Sequence, residues 1–108
     1  MAERKNGYMV RYLIYGITRD VGYYSDPDAA IDKYYYWRKV DNGNWGRFQD
    51  VRQNVVNKVK AGIVEAYTYR NDQIGARCIV KTSPYGVEYL KTIPNDNPFD
   101  NLSSLPEM

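Results

Sequence analysis

Three places in this chain hold residue types that do chemistry. Cys78 is the single thiol, Asp26, Asp28 and Asp32 fall close together in SDPDAAID (25–32), and KYYYWRKV (33–40) sets three tyrosines and a tryptophan among basic residues. A thiol attacks as its thiolate, so it needs a nearby cation to lower its pKa. On a strand, Arg77 and Ile79 alternate with Cys78, which sends the nearest basic side chain to the opposite face. Cys78 is therefore expected to be a buried structural cysteine. The three aspartates lack the further acidic or amide position, the glycine and the terminal glutamate of a calcium loop. They predict instead a short helical turn capped by Asp26, with Pro27 at its first position.

KYYYWRKV carries the most distinctive chemistry. Period-two alternation divides it into Tyr34, Tyr36, Arg38 and Val40 on one face and Lys33, Tyr35, Trp37 and Lys39 on the other. The second set has two rings between two cations. Unstacked bases can stack on such rings while lysine neutralises phosphate. The same residue types serve protein interfaces, and the plainest role is strand packing with lysine stems snorkelling at the edge. The strong basic stripe and the motifs of common nucleic-acid-binding folds are missing. Lys33, Tyr35, Trp37 and Lys39 are thus the candidate contact face, with Tyr67 and Tyr69, which share a face of a later strand, as secondary candidates.

The chain contains no histidine, which removes the commonest general base and the commonest metal ligand. No Ser-His-Asp or Cys-His pair can be assembled, and one cysteine without histidine cannot hold structural zinc. The glycines nowhere take a phosphate-binding spacing; Gly16, inside a strand, marks a bulge or a close backbone approach. Glu65 and Glu88 are expected as cross-strand partners of lysine or arginine. The expectation is a protein that is not an enzyme and takes no cofactor and no metal.

These side chains need a sheet to position them. YMVRYLIYGIT (8–18) is apolar on both alternating sets, Met9, Leu13, Tyr15 and Ile17 against Val10, Tyr12 and Ile14, as a central strand covered on both sides would be. KYYYWRKV follows as a second strand, ended by DNGN (41–44). Over 46–61 the period changes: Phe48, Val51, Val55 and Val59 make an apolar stripe at helical spacing, with Asn44 as N-cap, Lys58 and Lys60 near the C-terminus and Gly62 as the C′ residue. Strands are predicted at 63–70, 76–82 and 87–93, with NDQIG and SPYG as hairpin turns. The predicted fold is α+β, one domain over 1–108 in the order β-β-α-β-β-β. Its sheet is mostly antiparallel, with one main helix packed on one face.

A chain of 108 residues, 44% hydrophobic and 26% charged, suits one globular core. Residues 1–7 are expected to be a flexible N-terminus and 95–108 an irregular acidic tail that packs Phe99, Leu102 and Leu105 on the body. The tail holds Asp96, Asp100 and Glu107 and no cation, so the net charge of +2 leaves about +5 on the rest. No apolar run reaches the roughly 18 residues of a membrane span, the first residues lack a secretory pattern, and one cysteine fits a reducing compartment. A cytoplasmic protein with no membrane partner is expected.

VRYLIYGIT as opening strand, a second strand bearing Trp37, a helix closing at Gly62 before IVEAYTY, and the ending YLKTIPNDNPFDNLSSLPEM together resemble the domain of unknown function 3892 family. Its DNL-x-x-LP pattern is matched here by Asp100, Asn101, Leu102, Leu105 and Pro106. The sequence departs from the family in its tyrosine-rich second strand and in the loop at 19–32. The resemblance implies a small single α+β domain of bacterial or phage origin and brings no activity.

Surplus tyrosine without catalytic apparatus points to an interaction protein that binds a protein partner, or itself as a homodimer, through an aromatic sheet face. The alternative is a single-stranded nucleic-acid-binding module using the same basic and aromatic strand face.

Overall fold

The apolar run at the start of the chain becomes the middle of a six-stranded sheet. The computed structural model describes residues 10–20, 26–40, 43–93 and 101–108; the expectations for residues 1–7 and Phe99 lie outside them. Strand β1 is Val10–Arg19, followed by a 3-10 turn over Pro27–Ala30 and β2, Ile31–Lys39. Next come β3, Trp45–Val51, and helix α1, Arg52–Lys60. The chain continues through β4, Val64–Arg70, β5, Gln73–Thr82, and β6, Glu88–Thr92, to a 3-10 turn at Leu102–Ser104. The spatial order is β3-β2-β1-β4-β5-β6. Among the described strands β1 and β4 run parallel, and the other neighbouring strands are antiparallel. A parallel pair needs a crossover, and α1 provides it by carrying the chain over one face from β3, at one edge, to β4 beyond β1.

The expected α+β class, mostly antiparallel sheet and single main helix are all present, with one strand more than the expected order. The segment 46–61 is not one helix. WGRFQDV is strand β3, paired with β2 from Lys33 opposite Val51 to Lys39 opposite Trp45, and the helix begins only at Arg52. Phe48 packs on the core from the strand, while Val55 and Val56 do so from the helix. Asn44 is not the N-cap: the cap is Val51, with no side-chain hydrogen bond. The C-terminal signals hold. Gly62 has φ +74, its N–H donates to Val59 and that of Ile63 to Lys58, the two bonds of a Schellman ending.

The two faces differ sharply. Tyr12, Ile14, Ile17, Ile31, Tyr34 and Tyr36 face α1 and are nearly inaccessible; the Tyr12 and Tyr36 rings stack at 3.9 Å between centroids and 11° between planes. Strict alternation would send Ile17 to the other side with Leu13 and Tyr15. Instead the β1–β2 register steps between Ile14 and Gly16, and this bulge returns Ile17 to the core. Gly16 suits the site because an added Cβ would lie 2.5 Å from the sulfur of Met108, so the expected bulge and the expected close approach both occur here.

Met108 is there because residues 106–108 fill a slot in the sheet. β4 pairs with β1 only from Val10 to Ile14. Farther along that edge the Ile17 N–H donates to Pro106 and the Met108 N–H to Ile17, which makes a short parallel bridge to Glu107. Leu102 and Leu105 are buried, as expected of the tail. The segment is held further by Ser103 N–H to Asp28, Arg70 to the Ser104 carbonyl, and Thr92 to Asn101. The family-like ending is thus structural: it completes β1 and closes one end of the core.

Candidate functional site

The face away from α1 carries the side chains that alternate with the core. On β2 these are Lys33, Tyr35, Trp37 and Lys39; on β3, Trp45, Arg47, Gln49 and Val51; on β1, Arg11, Leu13 and Tyr15. β4 adds Glu65, Tyr67 and Tyr69, and β5 adds Arg77 opposite Tyr67 and Ile74 opposite Tyr69. All four primary candidates therefore share one open face, and both secondary candidates lie on it. Tyr34 and Tyr36, the other rings of the same strand, are the pair that the helix covers.

Tyr35 and Trp37 are half-buried, while Lys33 and Lys39 are exposed. Trp37 lies opposite Leu13 and 6.0 Å from the Tyr15 ring. Across the strand pairs, the Arg47 guanidinium is 5.5 Å from the centre of the Trp37 ring, and the Lys39 amine is 5.6 Å from that of Trp45, both within cation–π range. At the other side Glu65 accepts from the Tyr67 hydroxyl at 3.3 Å and lies between Arg11 at 3.7 Å and Arg77 at 3.5 Å. That is the cross-strand role expected of Glu65. Glu88 instead pairs with Lys60 of the helix.

A groove of about 400 Å³ crosses this face between Trp37 and Trp45 on one side and Tyr69, Asp72 and Ile74 on the other, over Leu13. Trp45 is 42% exposed and Ile74 51%, so its two walls present large apolar side chains to solvent. The second wall is raised by a hairpin whose turn residues Asn71 and Asp72 both have positive φ, 53° and 61°, the two-residue primed turn that matches strand twist. Trp45, Arg47, Asp72 and Ile74 escaped the sequence reading. Period-two alternation in WGRFQDV was the signal for the first two. Asn-Asp read as a two-residue turn would have started β5 at Gln73 and placed Ile74 on the face.

The chemically suggestive groups elsewhere are committed to structure. Cys78 is buried, and burial, with the charge of Asp28 adding to it, pushes its thiol up and away from reactivity. Asp26 caps the first 3-10 turn through the Asp28 N–H, as expected, and accepts from Tyr89 and Lys91. Asp28 is buried against the Ser103 N–H, while Asp32 takes the Thr18 hydroxyl. Among the described residues no three His, Cys, Asp or Glu side chains converge as metal ligands would, and no helix is long and apolar enough to cross a membrane.

No curated protein and no solved structure matches this chain. Residues 30–106 match the model of a family described as protein of unknown function, DUF3892, and the chain belongs to that family.

Proposed function

We propose that this member of the family is a non-enzymatic interaction protein, cytoplasmic and of bacterial or phage origin, that binds a protein partner through the open aromatic face of its sheet. The observation that carries this is the groove over Leu13, whose walls expose Trp45 and Ile74. Tryptophan, tyrosine and arginine dominate the energetics of protein interfaces, and all three surround the groove. Self-association is the weaker version of the same idea, because two such faces would bring their lysines and arginines together.

The nucleic-acid alternative draws support from Lys33, Lys39 and Arg47 beside the rings. Stacking of successive bases needs several open ring faces, however, and Arg47 and Lys39 already lie across one face of the Trp37 and Trp45 rings. The immobilised protein is expected to retain a partner that Ile74→Arg fails to retain, with an unchanged thermal midpoint. A strictly monomeric protein by light scattering that retains nothing counts against the proposal.

A further inference from the structure

We infer that the partner segment recognised by this face is acidic and carries one large apolar side chain, which enters the groove while Lys33, Lys39 and Arg47 take the flanking carboxylates. The inference rests on the open face being a protein-binding surface and adds the chemistry of what it binds.

Charge on the face is unevenly matched. On the β4–β5 side, Glu65 is shared by Arg11 and Arg77. On the β2–β3 side, the outward residues are Lys33, Tyr35, Trp37 and Lys39 and, opposite them, Trp45, Arg47, Gln49 and Val51, three cations with no carboxylate. None of the three has an ion-pair partner among the described residues. Lys39 and Arg47 lie across the Trp45 and Trp37 rings, so the charges stand at the rim of the groove rather than inside it. The groove itself is lined by Leu13, Trp37, Trp45, Tyr69 and Ile74 with the one carboxylate of Asp72.

An apolar side chain seated against the tryptophans puts its sequence neighbours beside Lys39 and Arg47. Acidic neighbours there gain charge complementarity and faster association, whereas a basic segment meets like charge. A volume of about 400 Å³ lies at the small end of the range for ligand pockets, suited to one large side chain rather than to successive bases. A second copy of the chain presents the same cations and is disfavoured for the same reason.

The chain has two tryptophans, and both line the groove, so their intrinsic emission reads occupancy directly. The probes are end-blocked peptides free of tryptophan and tyrosine: Glu-Asp-Phe-Asp-Glu, the same peptide with alanine for phenylalanine, and Lys-Lys-Phe-Lys-Lys, with oligothymidylate as a fourth. The acidic phenylalanine peptide is expected to change the emission saturably. Its affinity should be at least about five-fold above that of the alanine peptide and should fall with salt. Lys39→Glu and, separately, Arg47→Gln should each weaken it by about an order of magnitude or more, with thermal midpoints unchanged. No response to the acidic phenylalanine peptide, or an equal response to the alanine or the basic peptide, overturns the inference. A response to oligothymidylate alone replaces it with the nucleic-acid alternative. If the peptides fail while Ile74→Arg still abolishes retention of a partner, the face binds protein and only the acidic chemistry is wrong.

Discussion

The Tyr34 hydroxyl accepts a hydrogen bond from the backbone N–H of Leu90 at 3.3 Å, joining a fully buried ring of β2 to β6 across the core. Burial pushes this phenol up, so it stays neutral. Tyr34→Phe leaves the Leu90 N–H buried without its acceptor and is expected to cost about 1–3 kcal/mol, read as a lowered urea midpoint with the slope unchanged.

Two nearby carboxylates should respond to acid in opposite directions. Burial pushes Asp26 up, but Lys91, the Asp28 N–H and the Tyr89 hydroxyl outweigh it and hold the group below its ordinary 3.8. Burial dominates at Asp28, where Lys91 offsets part of it and the Asp26 charge adds to it, and the group sits above 3.8. A lowered carboxylate contributes stability that is present above 3.8 and is lost as pH falls through its folded value. A raised one costs stability once ionised and returns it as pH falls through its folded value. Asp26→Asn is expected to reduce stability at pH 7 by about 1 kcal/mol, an effect that disappears in acid. Asp28→Asn should match or exceed wild-type stability at pH 7, with the difference closing in acid. Urea midpoints across the acid range separate the two; parallel profiles would refute the assignment.

The tail should matter through its leucines rather than its charges. Leu102 is fully buried, and Leu102→Ala is expected to cost about 2–5 kcal/mol. Glu107 pairs with Arg19 at 2.6 Å but is 62% exposed, and Glu107→Ala should cost less than about 1 kcal/mol. Equilibrium unfolding of the two variants tests the contrast.

At the hairpin that raises one wall of the groove, Asn71 holds φ 53°. Asn71→Val places a β-branched side chain in the left-handed region and is expected to cost about 1–2 kcal/mol. Asn71→Gly should be close to neutral. Tryptophan emission in native buffer adds a second measurement, since a displaced hairpin uncovers Trp37 and Trp45.

Much of the fold was legible because β1, β2 and β4 have residues whose periodicity and β-branching agree with their burial. β3 was hidden by a coincidence of spacing. Phe48 stands three residues before Val51, and Val51 four before Val55, a step repeated to Val59, so strand and helix residues line up as one stripe. The start of the helix has no side-chain cap to mark the change. The β1 bulge was equally silent about Ile17: Gly16 signals irregularity, but only pairing with Tyr34 and Tyr35 shows which way the following side chains turn. The division of KYYYWRKV into a covered and an open set followed directly from alternation. The groove did not, because Trp45 stands just before the segment 46–61 read as helix and Ile74 lies in NDQIG, read as a turn.

The bridge between Ile17 and Glu107 also sets a timetable. Residue 17 leaves the ribosome early, yet its strand edge stays unfinished until residue 107 arrives, and contacts between such distant positions form slowly. A chain stopped short of that point keeps an open edge in the middle of its sheet, the kind of surface that recruits other strands. For this protein, the edge of β1 beyond Ile14 is covered only once residues 106–108 have joined it.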